Sequence, residues 1–408
     1  GAIYTEEAMA TSGGAWGITG VSLRRPDIRD ALAPQGGCYT ALELAPEGET
    51  ARMISVVHEV LVAPEDPEAV LALMADPVTR IVSLTVTEKG YCHEPSTGAL
   101  NRANPDIVHD LQNPLPVSAP GFLVRALERR RAAGLAPFTV MSCDNLPSNG
   151  QVVRGVVTAL AREIDPALAD WIEAEGRFPS TMVDRIVPAT KPEDIARIDA
   201  MIGVHDAAPV VHEPFRQWVI EDDFVGGARP DWGAVGAELV ADVTPYEHMK
   251  LRMLNGTHSP LAYLGYLARH ETISDCMSDP VFAAFVQQLW ESEIIPALTP
   301  PPGVSLTDYA SALHARYANP AIRHLTWQIA MDGSQKLPQR ILGTVADNIA
   351  VKTLSDSADS PAGKVAALLS LRDVFPADLA PALSTPVTSA YESLTENGAR
   401  VAMENLLR

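Results

Sequence analysis

The sequence predicts an α/β sheet domain followed by a mostly α-helical domain, and three observations carry that prediction. Through about residue 240, short apolar runs alternate with amphipathic helical stretches, which is how a chain builds an open, doubly wound sheet covered by helices. Beyond that point apolar residues recur at helical spacing over longer runs joined by proline-rich connections. The 408 residues, 47% hydrophobic and 20% charged, suffice for two cores of ordinary size. The expected domains are 1–240 and 241–408.

Taken in order, ARMISVVHEVLV (51–62), RIVSLTVTE (80–88) and FTVMSCD (138–144) are rich in Val, Ile and Thr and read as strands. Between and after them, PEAVLALMA (67–75), GFLVRALERRRAAG (121–134) and GQVVRGVVTALAREI (150–164) read as helices. In the second half the helices are PYEHMKLRMLNGTHSPLAYLGYL (245–267), DPVFAAFVQQLWESEI (279–294), LTDYASALHARY (306–317) and a terminal one near 388–407. PALTPPPG (296–303) is a loop, because proline cannot continue a helix.

Composition narrows the function classes. A formal net charge of −20 argues against a nucleic-acid or anionic-membrane surface, since those partners attract clustered Lys and Arg. No apolar run approaches the ~20 residues that span a bilayer, and no signal peptide is visible, so a cytoplasmic protein is expected. Cys38, Cys92, Cys143 and Cys276 are widely spaced, which disfavours a disulfide framework or a zinc site, and no H-E-x-x-H motif supports a catalytic metal. Cys143 reads as a buried structural thiol.

The most informative stretch holds Lys250, Asn255 and His258 on one helix. At about 100° per residue, with Lys250 at 0°, His258 falls near 80° and Asn255 near 140°, so the three share a side. A lysine among Leu251, Met253, Leu254, Leu261 and Leu264 is partly desolvated, which disfavours its charged form and suits it to act as a base. Asn255 can donate to an oxygen that becomes negative as it loses its proton, and His258 can orient its neighbours. The structural alternative is a snorkelling lysine, a kink at Asn255-Gly256 and a satisfied core histidine. Asn145, just past the strand 138–144, would sit at the carboxyl end of a strand, where open α/β sheets bind ligands.

The run K-L-R-M-L-N-G-T-H resembles the K-x4-N-x2-H signature of the polyol-specific long-chain dehydrogenases, the mannitol dehydrogenase family. Blocks in the same order agree with it: IVSLTVTEKGYC (81–92), FTVMSCDNLPSNG (138–150), FPSTMVDRIVPAT (178–190), EPFRQWVIEDDF (213–224) and NPAIRHLTWQIAMDGSQKLPQR (319–340). The resemblance implies a Rossmann-like first domain and a helical substrate domain, with dinucleotide and substrate meeting in the cleft between them. It places the acid/base role on Lys250, the two oxyanion-stabilising amides on Asn145 and Asn255, and the substrate-orienting role on His258. Glu88 falls on the proton path from the lysine, and Asp184 on a substrate-side carboxylate.

What the resemblance implies about substrate is a sugar acid or polyol, with wording nearer fructuronate reductases (D-mannonate oxidoreductases) than mannitol 2-dehydrogenases. An acid substrate needs a cation, and Arg216, Lys336, Arg340 and Lys89 are the candidates. Mannitol enzymes carry an arginine where this chain has Gln328. D-fructuronate plus NADH giving D-mannonate is therefore the leading expectation, with D-mannitol and D-fructose second. An inactive homologue serving as a binding or scaffold protein is the rival from outside enzymes.

WGITGVSLRRPD resembles the family's second strand, whose end places Asp27 against the adenosine ribose and favours NAD. Arg24 and Arg25 beside it suit a 2′-phosphate and leave NADP open. The family's G-x-G-x-F-x-R loop has no counterpart in the chain, which begins with wording found just after that loop. Its first βα unit is thus expected to be missing from the chain, and a further helical stretch is expected to be missing near Ala350-Val351. The oligomeric state is left open.

Overall fold

Thr139–Ser142 is buried at all of its residues, the mark of a strand with packed layers on both faces. This computed structural model describes residues 1–94, 97–331, 333–352 and Ala399. The chain divides into two compact units, Gly1–Glu43 with Glu49–Val243, and Leu44–Gly48 with Thr244–Arg408.

The strands are β1 (Ile18–Ser22), β2 (Tyr39–Ala45), β3 (Gly48–Ile54), β4 (Val57–Val62), β5 (Ile81–Leu84), β6 (Thr139–Ser142), β7 (Thr181–Asp184), β8 (Val210–His212), β9 (Gln217–Glu221) and β10 (Glu238–Val240). They form two parallel pairs, β1–β4 and β5–β6, and two three-stranded sheets, β3-β2-β8 and β10-β9-β7. Only β7 with β9 is antiparallel among the registered pairs β1–β4, β5–β6, β2–β8, β9–β10 and β7–β9.

The helices around β5 and β6 start for local reasons. Pro67–Ala75, Ala119–Ala132 and Pro166–Glu175 each have proline in the first turn and a capping side chain. Asp66 accepts from Ala69 N, Ser118 from Gly121 N and Asp165 from Ala167 N. Their inner faces join one large apolar cluster with Val140, including Leu71, Leu123, Leu127 and Leu168, to which Val156 and Leu160 of the helix Asn149–Ile164 also belong. Met141, pointing to the opposite face of β6, joins a second cluster with Tyr4, Trp218 and Trp232. Both faces of β6 are thus covered, as in a helix-flanked parallel sheet.

Several expectations change. The predicted strand 51–62 is two strands, interrupted at Ser55-Val56. The strand expected over 80–88 stops at Leu84, and Glu88 lies in a one-turn helix, Thr87–Gly90. There the backbone turns to give its N–H groups to Asp144, whose carboxylate accepts from Val86 N (2.9 Å) and Thr87 N (3.3 Å). β7 to β10 are three to five residues long, too short for alternation to announce them. The terminal helix expected near 388–407 lies outside the described residues, apart from Ala399.

In the second unit one helical path runs through Thr244–Met249, Lys250–Asn255 and Gly256–Leu267. Pro280–Leu289 continues into Trp290–Ile294, and Leu306–Tyr317 matches the expected span. Among the described residues no helix is long and apolar enough to cross a membrane.

One buried amide ties the strand ends of the first unit together. Asn149 is fully buried; its Nδ2 donates to Asp144 O (3.0 Å) and Thr181 O (2.8 Å), and its Oδ1 accepts from Thr181 N (3.0 Å). Asn149→Ala strands all three backbone groups and should lower unfolding free energy by about 2 to 4 kcal/mol in a urea titration. A change under about 0.5 kcal/mol would show that these bonds are replaced without cost.

Candidate active site

The three helix residues lie in a distorted helix. Lys250–Asn255 is a π-helical turn, in which bonds close five residues back, and Gly256 N donates to Leu251 O. A turn of this kind inserts one residue, about 100° of phase, so His258 moves from near 80° to within about 20° of Lys250's direction. The regular wheel therefore misplaced the residues, and the distortion aligns Lys250 with His258 more closely than an α-helix does. Pro260 follows on the same helix, where it has no N–H to offer the preceding turn.

Two carbonyls of this stretch accept from side chains. Met253 O accepts from Thr257 Oγ1 (2.5 Å) and from the indole of Trp290 (3.1 Å), and Leu254 O accepts from the Tyr317 hydroxyl (2.7 Å). Trp290 and Tyr317 are themselves buried and stacked, with ring centroids 6.0 Å apart. Two further π turns, Trp290–Ile294 and Pro338–Leu342, both pack against the Lys250 turn.

Burial differs among the trio. Lys250 is 7% exposed and His258 4%, whereas Asn255 is half-buried. The ring of His258 lies 4.6 Å from that of Tyr317, and its Nε2 is buried without a hydrogen-bond partner among the described residues. Burial first, then the charges of His324, Arg340, Arg316 and Lys250, hold its pKa well below the ordinary imidazole value. It is a neutral ring in a cationic neighbourhood, and not the satisfied core histidine of the structural alternative.

Gly256 explains the Asn-Gly pair. A Cβ there would stand 2.8 Å from the carbonyl oxygen of Arg340, so the absence of a side chain lets the Lys250 helix approach the third π turn. Arg340 is thereby placed beside the helix, and its charge depresses both His258 and His324. Lys336, one turn earlier, donates to Met331 O at 2.6 Å. Gln328 is exposed.

The candidates of the first unit form separate groups. Asn145 and Glu88 sit on the loops after β6 and β5, and both are exposed. Asp144 holds these loops together, accepting from Val86 N, Thr87 N and the Tyr91 hydroxyl (2.8 Å). Thr87, Cys92 and Ser148, on the same loops, have positive φ (64°, 53° and 49°), a conformation that costs side-chain-bearing residues and concentrates at functional sites. Asp184 is buried and pairs in register with Gln217, so Arg216 flanks it on the next strand. Arg216 is already engaged: it pairs with Glu7 (2.7 Å) and lies over the Tyr4 ring (4.6 Å). Lys89 is exposed.

Asp27 opens the helix Asp27–Leu32, five residues beyond β1, with its carboxylate 3.3 Å from Arg25 and largely exposed. Arg24 pairs with Asp106. The four cysteines are free thiols, and burial pushes Cys143 up to about 11, in keeping with an inert structural thiol. Sequence reasoning did not single out Tyr317, Trp290, Arg316 or His324, because bonds to carbonyls of a broken helix leave no spacing signal.

Comparison with known proteins follows the same division. Residues 4–234 match the mannitol dehydrogenase Rossmann domain, and residues 242–358 the mannitol dehydrogenase C-terminal domain. An uncharacterised oxidoreductase of Escherichia coli (strain K12), YeiQ, is 44% identical over 449 aligned positions, covering 100% of this chain and 92% of its own. D-mannonate oxidoreductase of the same organism is 50% identical over 349 positions, 84% of this chain and 72% of its own. The solved Pseudomonas fluorescens mannitol 2-dehydrogenase, a ternary complex with NAD and D-mannitol, superposes with a TM-score of 0.89 at 36% identity, over 100% of this chain and 91% of that one.

Gly256→Ala should cost about 1 to 3 kcal/mol of stability, because the new methyl meets backbone that a rotamer change cannot move; an unchanged thermal midpoint would show that the helix shifts freely. The histidines predict an acid sensitivity. Burial, then Arg340, lowers His324 from 6.5 to about 4, and His258 is lowered as well. Above pH 6.5 both rings are neutral whether the chain is folded or not, so their full contribution is present. Below it the unfolded chain takes up protons first, and stability falls towards pH 4. Between pH 6.5 and 5 His324 alone should cost about 1.5 kcal/mol, with a further loss from His258, measurable by urea unfolding at the two pH values.

Proposed function

Since the chain belongs to the mannitol dehydrogenase family, we propose that it interconverts D-fructuronate and D-mannonate with NAD as the hydride carrier, Lys250 serving as acid/base. The family makes it an oxidoreductase of polyols or sugar acids. The observation that carries the finer reading is the buried Lys250 beside a neutral His258 on a π-distorted helix.

In the reductive direction, a proton moves from Lys250 Nζ to the carbonyl oxygen as hydride reaches the carbonyl carbon, leaving neutral lysine and a secondary alcohol. In the oxidative direction Lys250 accepts the hydroxyl proton. Nicotinamide supplies or receives the hydride when bound. Asn255 donates an amide N–H to the oxygen while it carries negative charge, and Asn145 is the position that the family's motif gives to the second such amide. Neutral His258 accepts or donates a hydrogen bond to a substrate hydroxyl without adding positive charge beside Lys250. Glu88 belongs to the proton path and Asp184 to the substrate side.

For the cofactor, Asp27 fits the adenosine ribose: its carboxylate lies past the end of β1, is reachable, and is not buried in its pair with Arg25. Arg24 is drawn to Asp106, which favours NAD over NADP. For the substrate carboxylate, Arg340 is the strongest of the cations, since its backbone packs against the Lys250 helix and its charge reaches both His258 and His324. The 50% identity to D-mannonate oxidoreductase and the Gln328 in place of the mannitol enzymes' arginine support the acid. Mannitol 2-dehydrogenase activity is the second reading, favoured by the fold match.

A panel of fructuronate and fructose with NADH and NADPH should give the highest kcat/KM for fructuronate with NADH; a preference for fructose overturns the substrate reading. Lys250→Ala should lower turnover by about 100- to 10,000-fold. Arg340→Met should weaken fructuronate about 10- to 100-fold more than fructose, the loss of one charge-assisted bond. Equal losses on both substrates would remove Arg340 from carboxylate recognition.

A further inference from the structure

We infer that His324 is a positioning residue for the reaction: its ring forms one wall of a clamp, with Tyr317 as another, that fixes the imidazole of His258. The inference rests on the reading of His258 as a substrate-orienting group. The His324 and His258 rings meet edge to face, at 85° with centroids 5.0 Å apart, and the Tyr317 ring lies 4.6 Å from His258 at 36°. A five-membered ring held by two others at such distances has few orientations left, and those it keeps fix the direction of Nε2.

Both walls are anchored independently of His258. The Tyr317 hydroxyl bonds Leu254 O and Thr257 Oγ1, on the turn just before His258. His324 is pinned through its backbone: its N–H donates to Ile322 O (2.9 Å), and its carbonyl accepts from Ile273 N (3.0 Å). The flanking residues repeat the attachment, with Thr326 N bonded to Glu271 O and Arg323 paired with Glu271. The ring of His324 thus stands on a braced segment, as a positioning wall must.

Polar bookkeeping points to use and not to packing alone. His258 Nε2 and His324 Nδ1 are both buried and lack hydrogen-bond partners among the described residues. Leucine or phenylalanine would fill the place of His258 without an orphaned polar atom, so packing does not account for its imidazole. A buried polar group left unpaired within the protein is a group kept for a partner that arrives. On His258, which is 4% exposed, that partner is a hydroxyl of the polyhydroxylated substrate.

The test is steady-state kinetics of the full chain with fructuronate and NADH, on His324→Ala, His324→Phe, His258→Ala and the His258→Ala/His324→Ala double variant. His324→Ala should raise KM about 5- to 20-fold and lower kcat by less than about 5-fold, because the clamp orients substrate and does not move the proton. His324→Phe keeps a ring at the wall and should recover most of the loss. In the His258→Ala background, His324→Ala should add less than about 2-fold, since it acts through a ring already removed. Unchanged KM in His324→Ala, no recovery with Phe, or a full additional loss in the double variant overturns the inference. Failure of the underlying reading looks different: His258→Ala would itself match the unsubstituted protein.

Discussion

The second unit depends on where the carbonyls of an interrupted helix go. The π turn at Lys250–Asn255 departs from the α-helical pattern, and its Met253 O and Leu254 O accept from Trp290, Thr257 and Tyr317. Each such bond contributes about 1 kcal/mol, so donors on two other helical segments help to hold the distorted turn in place. The Lys250 helix is in this sense held by its neighbours. The lysine, asparagine and histidine stand on a turn bonded by an indole and a phenol from other segments.

The same packing sets the electrostatics. A second positive charge beside a buried lysine would work against any proton that the lysine carries. The imidazole of His258 avoids this by being dry and surrounded by cations, which together keep it uncharged. The proton exchange proposed above is thereby left to Lys250.

Much of this was legible in the letters. Pro67–Ala75 and Leu306–Tyr317 carry their ends in Asp-Pro and Ser caps, and both match their expected spans. The K-x4-N-x2-H words mark the trio whatever the helix does between them. The π turn was not legible, because the donors that bond it lie more than thirty residues away, which no local period records. For the same reason the strand expected to reach Glu88 was overrun: Asp144, far along the chain, pulls the backbone after Leu84 into a turn. Arg216 looked like a spare cation only because its partner, Glu7, lies on a different element.

That one carboxylate, Asp144, has a consequence for motion. Because it grips the loop after β5 by two amides and a phenol while belonging to the loop after β6, neither loop can swing without dragging the other. Exchange of one loop alone, by recombination between relatives or by a designer's graft, would leave the acid facing an ill-fitting backbone. The pair is best treated as a single cassette, inherited together.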